Sequence, residues 1–217
     1  MSGIVGSSHN IRGSGVVAKL GTDGQVFTSA GAGIKQTYED AASGSLVKIY
    51  SQTVSSAVAA VVFDNNYITS TYDNYKLVCY GMSSASDNQD IGMKFSVDNG
   101  SAFATHVGQF NYSQLDATTE NVTGSSVAFG YIPFGSDEEA DADGGTNAEM
   151  IIFNVNGTTQ YTFCMGLGTA VNQGGNYYGY RIGGYIASNT AVNYLKVYCN
   201  EGGNVDAGTC TLYGFEK

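Results

Sequence analysis

The chain has 217 residues, which is enough for one domain with a substantial hydrophobic core and a tail. Only 13% of its residues are charged, 42% are hydrophobic, and it contains 16 Tyr and 10 Phe, a composition that argues against intrinsic disorder. The 19 acidic and 9 basic residues give a formal net charge of -10, which argues against nucleic acids and anionic membrane surfaces as partners.

The N-terminal part, residues 1–45, consists mainly of Gly, Ser and Ala with isolated apolar residues. This composition predicts an anchoring arm or linker rather than a hydrophobic core. The apolar pairs Ile4-Val5 and Val16-Val17 are expected to dock in grooves of a neighbouring protein, and a disordered N terminus is the alternative. One short helix is predicted at residues 35–42.

The remainder, residues 46–217, contains short runs of Val, Ile, Tyr, Phe and Thr between turn-forming residues, which predicts an all-β domain. In one run Leu77 and Cys79 alternate with Lys76 and Tyr80, as expected for a strand with one buried face. We predict an antiparallel, jelly-roll-like β-sandwich. Eleven strands are predicted, one of them expected to be a fragment or false: 46–53, 58–63, 75–80, 91–97, 103–110, 127–134, 149–155, 160–165, 177–187, 192–199 and 209–215.

Sequence signatures of catalysis are missing. The two histidines, His9 and His106, do not form a convincing triad or metal site, and no nucleophile elbow or phosphate loop is present. The four cysteines lie in or beside apolar runs without close pairs, which predicts buried free thiols. We therefore predict a soluble non-enzyme without a transmembrane helix, a secretion signal or a cofactor; a glycosidase-type pair of carboxylates is the catalytic alternative.

An acidic segment is the one candidate for metal binding. No Lys or Arg occurs between Lys94 and Arg181, and that stretch holds nine acidic residues. Among them Glu139, Asp141 and Asp143 occupy alternate positions before Gly144, and oxygen-rich loops of this kind bind calcium. The segment does not match a helix-loop-helix calcium motif, so the alternatives are a non-standard calcium loop and a solvated hairpin loop.

A tyrosine cluster is the candidate recognition surface. Tyr177, Tyr178, Tyr180 and Tyr185 lie on one predicted strand, and a tyrosine ring offers both a stacking surface and a hydroxyl group to a glycan or a protein. The alternative is that these rings fill the faces of an ordinary sandwich strand.

Two segments resemble β-sandwich domains of structural proteins from tailed bacteriophages, especially marine and cyanobacterial phages. Tyr72 to Tyr75 and Ser96 to Ser101 are similar to a Tyr-x-x-Tyr strand that leads to a strand ending in Ser-x-Asp-x-Gly-Ser. Gly208 to Gly214 resembles the closing Gly-Thr-x-x-Leu-Tyr-Gly strand, and Met1 to Gly6 with Arg12 to Val16 resembles the start of phage appendage proteins. The acidic segment 137–145 and the cysteines depart from this pattern.

The resemblance implies a virion structural protein, assembled in the host cytoplasm and often a homotrimer. It would be a tail-fibre or appendage subunit, anchored to other virion proteins by its N-terminal arm and exposing its β-sandwich for attachment to a host-surface glycan or protein. One alternative is a capsid decoration or cement protein that stabilises the shell without a receptor. A further alternative is a small glycan-binding module.

Overall fold

The computed structural model describes residues 25–28, 37–40, 45–103, 105–116, 119–127, 130–138, 145–171 and 175–217, and all regular secondary structure in these ranges is β. The strands, in chain order, are β1 (Gln25–Thr28), β2 (Thr37–Asp40), β3 (Leu46–Val54), β4 (Val61–Phe63), β5 (Tyr75–Ser84), β6 (Gln89–Ser96), β7 (His106–Asp116), β8 (Thr119–Val127), β9 (Ile132–Glu138), β10 (Thr146–Phe153), β11 (Thr162–Val171), β12 (Tyr177–Ile186), β13 (Tyr194–Cys199) and β14 (Val205–Phe215).

The chain divides into two compact units, Met1–Gly44 and Ser45–Lys217. In the first unit β1 pairs antiparallel with β2. The predicted helix at 35–42 is therefore wrong over residues 37–40, where Thr37 and Tyr38, both good strand formers, pair with Thr28 and Phe27. The predicted docking residues Ile4, Val5, Val16 and Val17 lie outside the described residues.

The second unit is the predicted jelly-roll β-sandwich. Its larger sheet has the strand order β3-β14-β5-β10-β11-β12-β7-β8, and its smaller sheet has the order β4-β13-β6-β9. Strands β3, β4, β5, β6, β9, β10, β13 and β14 alternate between the two sheets along the chain, except that β6 and β9 are neighbours in the smaller sheet. This is the double Greek-key path of a jelly roll. The hairpins β7-β8 and β11-β12 are insertions in this path, and both widen the larger sheet.

The inner faces of the two sheets form one hydrophobic core. Leu77 on β5 lies between Met150 on β10 and Leu212 on β14 in the larger sheet, and all three side chains are fully buried. Phe63 and Leu195 are fully buried in the smaller sheet. Each side chain of this size contributes about 1.5 to 3 kcal/mol when it leaves water.

All eleven predicted strands overlap an observed strand, so none of them is false. The alternative expectation, an edge fragment, fits β4, which covers only Val61–Phe63 of the predicted 58–63 and lies at the edge of the smaller sheet. The alternation predicted for β5 is confirmed, because Tyr75, Leu77 and Cys79 are buried while Tyr80 is 73% exposed. The sequence did not predict the observed strands β1, β2 and β8. Strand β8 has the polar sequence TENVTGSSV and lies at the edge of the larger sheet, where it pairs with β7.

Candidate functional site

The outer face of the larger sheet is apolar along β11. Small side chains at the even positions of this strand, such as Cys164 and Ala170, are buried, whereas Phe163, Met165 and Leu167 point outward and are 48%, 58% and 61% exposed. Large hydrophobic residues at alternate positions of a strand normally face the core. Here they face outward, because the inner positions next to them are filled by Gly, Ala, Cys and Thr.

Cross-strand partners extend this face over three strands. Phe163 lies between Phe153 on β10 and Tyr185 on β12, and Met165 lies between Ile151 and Gly183. Gly183 leaves open space above the sheet, since a Cβ atom built there would have one neighbour within 4 Å, the Cys164 carbonyl oxygen at 4.0 Å. The result is a shallow, apolar surface on the sheet.

Three rings form an aromatic corner at one end of this face, made of Tyr161, Phe163 and Tyr185. The rings of Tyr161 and Tyr185 are stacked and parallel to within 1°, with centroids 5.4 Å apart, and Phe163 lies 5.8 Å from Tyr185 at a 45° tilt. Next to these rings lies a depression of about 500 Å³ lined by Thr159, Gln160, Tyr161, Phe163 and Asn189. Exposed rings therefore adjoin amide and hydroxyl groups.

The turn between β10 and β11 positions the aromatic corner. Asn154 has a positive φ of 60°, and its side-chain amide donates hydrogen bonds to the carbonyl oxygens of Gln160 at 3.1 Å and Tyr161 at 3.2 Å. A Cβ atom at Gly157 would collide with this amide, so a larger residue there would displace the Asn154 side chain from its hydrogen bonds. The backbone on which Tyr161 is mounted is thus fixed by hydrogen bonds within the turn.

The four tyrosines predicted as a recognition surface are divided between the two faces of β12. Tyr177 is 48% exposed, and Tyr185 belongs to the aromatic corner. Tyr180 is only 2% exposed, and Tyr178 stacks on Tyr180 and packs against the core. Tyr178 and Tyr180 are therefore not part of a recognition surface, because residues at even positions of β12 point inward.

On the outer face of the smaller sheet, unlike that of the larger sheet, lysine ammonium groups lie over the aromatic rings. Lys94 and Lys196 lie opposite each other on β6 and β13. The ammonium group of Lys196 lies 4.5 Å from the ring centroids of both Phe103 and Tyr198, and that of Lys94 lies 5.0 Å from Tyr198. Burial, and next the charge of Lys94, lower the pKa of Lys196. These cation–π contacts cover the aromatic surface on this side.

His106 and the four cysteines are buried in the structure. His106 is fully buried, stacks on Phe95, and accepts a hydrogen bond from the Phe95 backbone N–H at its Nε2 atom, 2.8 Å away. All four cysteines are buried and unbridged, as the sequence predicted. Burial keeps these side chains away from solvent, and buried thiols of this kind react slowly with external reagents.

The predicted calcium ligands Glu139, Asp141 and Asp143 lie outside the described residues. Within the described ranges, no three His, Cys, Asp or Glu side chains are grouped so that they could hold a metal ion. The same ranges contain no helix that is long and apolar enough to cross a membrane.

Comparison with known proteins gives no match to a family model, to a curated protein or to a solved structure.

Sequence reasoning missed Tyr161, Phe163, Met165 and Leu167 as surface residues. The signal is visible in the segment YTFCMGLG, where large side chains alternate with Thr, Cys and Gly. Such an alternation fixes which residues share a face, but it assigns the larger residues to the core by default.

Proposed function

We propose that this protein is a structural subunit of a tailed-phage virion, a tail-fibre or appendage subunit that exposes its β-sandwich for attachment to a glycan on the host surface. Three motifs that resemble phage structural domains support the virion role: Tyr72 to Tyr75, Ser96 to Ser101 and Gly208 to Gly214. The jelly-roll fold is compatible with this role. A jelly roll serves many functions, so the fold alone carries no assignment.

The observation that carries the attachment role is the aromatic corner. A sugar ring presents a face of C–H groups that packs on an aromatic ring, and hydroxyl groups around its rim that need hydrogen-bond partners. The exposed rings of Tyr161 and Phe163 offer a surface for the C–H face of a sugar. The nearby side chains of Thr159, Gln160 and Asn189 offer hydrogen-bond partners for its hydroxyl groups.

The corner is suited to binding because it is already organised. The Asn154 amide holds the backbone at Gln160 and Tyr161, and the Tyr185 ring supports the Tyr161 ring from the neighbouring strand. Little conformational freedom then remains to be lost when a ligand binds, which favours affinity for a given contact area.

Purified protein passed over immobilised polysaccharide from the surface of the phage's host tests this function. We expect retention of the wild type and a loss of affinity of about tenfold or more for Tyr161→Ala, since one aromatic contact is worth about 0.5 to 1.5 kcal/mol beyond its buried area. Tyr177→Ala is the matched control, because Tyr177 is similarly exposed on the same sheet but lies at the opposite end of β12 from Tyr185.

Absence of retention, or equal retention of both variants, would overturn the glycan role. Release of reducing ends from the polysaccharide would indicate an enzyme instead. If the protein is instead a capsid decoration protein, it should not be retained on the polysaccharide and should be present in high copy number on the capsid shell.

A further inference from the structure

A second feature of the outer face lies two residues farther along β11 from Met165. Leu167 is directly opposite Glu149 on β10 and Arg181 on β12, so these three residues form a charged row across three strands. Leu167, at the centre of the row, is 61% exposed. The charged row is about 13 Å from the Phe163 end of the aromatic corner, given about 3.3 Å per strand residue.

The charges of this row are incompletely compensated within the chain. Glu149 pairs with Lys76 at 2.8 Å but its side chain remains 59% exposed, and Arg181 has no ion-pair partner among the described residues. An exposed leucine between two exposed charges of opposite sign is typical of an interface, where the apolar centre is covered and the charges at its sides set the register.

The sign of the charges identifies the partner. The chain carries a net charge of -10, so two copies repel each other over most of their surfaces. The charged row itself has no net charge, and it contains an exposed carboxylate and a cation that has no ion-pair partner in the described part of the chain. It is a place where a second copy of the same chain can approach without like-charge repulsion.

Symmetry makes the row complementary to itself. Glu149 lies on the β10 side of Leu167, and Arg181 lies on the β12 side. When copies meet around a rotation axis parallel to β11, the β10 side of one faces the β12 side of the next. Glu149 of each copy then meets Arg181 of its neighbour, and the Leu167 side chains converge near the axis.

We propose that the outer face centred on the charged row is the interface between copies of this chain in a homo-oligomer. A depression of about 340 Å³, lined by Val78, Tyr80, Leu167 and Thr169 among others, adjoins the row and offers space for apolar side chains of a second copy. The proposal does not depend on glycan binding.

Light scattering after size-exclusion chromatography of the full chain tests the interface. We expect a mass of two or three times the 22.7 kDa of one chain at tens of micromolar. Arg181→Glu places acidic side chains on both sides of the contact and should weaken association about tenfold or more. Combining it with Glu149→Arg and Lys76→Glu exchanges the charges of the row and keeps an ion pair between positions 76 and 149, so association should return at least in part.

Leu167→Asp should give a monomer, and Leu46→Asp is its matched control. Leu46 is 37% exposed on β3, four strands away from β11 in the same sheet, so its variant should keep the mass of the wild type. Circular dichroism of each variant verifies the fold. A monomeric wild type, an unchanged mass for Leu167→Asp, or no recovery in the charge-exchanged variant would overturn the proposal, and none of these outcomes affects retention on the polysaccharide column through Tyr161.

Discussion

The thiol sulfur atoms of Cys79 and Cys210 lie 3.0 Å apart in the core, on side chains directly opposite each other in the β5–β14 pair. Both residues are almost completely buried, as are Cys164 and Cys199. Burial, and next the neighbouring Cys210, raise the pKa of the Cys79 thiol well above its ordinary value, and burial raises the pKa of Cys164 to about 12. Neither thiol is ionised near neutral pH in the folded protein.

Alkylation with N-ethylmaleimide at about pH 8 should therefore leave all cysteines of the native protein unmodified for as long as the fold persists. In concentrated guanidinium chloride, all four should react, which intact mass spectrometry counts directly. Two labels instead of four after unfolding without reductant would reveal a disulfide, for which Cys79 and Cys210 are the pair in contact. Rapid labelling of the native protein would contradict the burial of the thiols.

Two adjacent glycines on β12 should respond oppositely to the same substitution. A Cβ atom at Gly184 would lie 2.7 Å from the Val107 carbonyl oxygen and 3.2 Å from both Gly108 Cα and Ile132 Cδ1. Because the oxygen and the Cα belong to backbone, Gly184→Ala should lower the free energy of unfolding by about 1 to 3 kcal/mol.

Gly183→Ala is the control, since space is open around that position, and it should be neutral or stabilising by up to about 1 kcal/mol. Denaturant titration measures both variants. Equal effects would show that β12 does not approach β7 and β9 as closely as the structure has it.

A buried tyrosine predicts how stability depends on alkaline pH. Tyr131 is 5% exposed and donates a hydrogen bond to the Asp90 carboxylate at 2.8 Å. Burial, followed by the charge of Asp90, raises the pKa of Tyr131 above its ordinary value. Protonated Tyr131 therefore contributes to the free energy of unfolding. The contribution is fully present below the unfolded-state pKa of about 10, and it is lost as pH rises above that value, because Tyr131 then ionises only in the unfolded chain.

Tyr131→Phe should consequently reduce the decline in the free energy of unfolding above about pH 10 by up to about 1.4 kcal/mol per pH unit. Urea titrations between neutral and alkaline pH measure the slope, and Tyr177→Phe, at an exposed position, should leave it unchanged. Identical slopes for wild type and Tyr131→Phe would contradict this assignment.

The N-terminal unit should be separable from the sandwich. Every residue of the described core belongs to Ser45–Lys217, so deletion of residues 1–44 should leave a protein that unfolds cooperatively and keeps its near-ultraviolet circular dichroism. If the proposed anchoring role is right, the truncated chain will not be incorporated into particles. If the truncated chain lacks the near-ultraviolet circular dichroism signal, residues 1–44 contribute to the core and the predicted separation is wrong.

Local pattern predicted the class of fold because hydrophobic alternation and turn residues are local properties. It did not predict the length of β11, which was expected to end at residue 165 and continues to Val171. Gly166 interrupts the run of strand-forming residues, which is why the strand was expected to end before it. A Cβ atom at this position would lie 2.2 Å from the Glu149 carbonyl oxygen. The glycine therefore permits the close approach of β10 and does not end the strand.

The candidate site could be predicted only in part for a related reason. The sequence identified Tyr177 and Tyr185, which are on the outer face, but it grouped them with Tyr178 and Tyr180, which point inward. The partners of Tyr185 in the aromatic corner come from β11 and the turn before it, and strand pairing between β11 and β12 is a long-range property that one sequence does not reveal.

The copy number and position of this protein on purified particles test the central claim most directly. Quantitative mass spectrometry gives the number of copies, and electron microscopy with a label on the N terminus gives their location. The attachment role predicts a few tens of copies or fewer, all at the tail. Hundreds of copies over the capsid shell, or no copies in the particle, would contradict it.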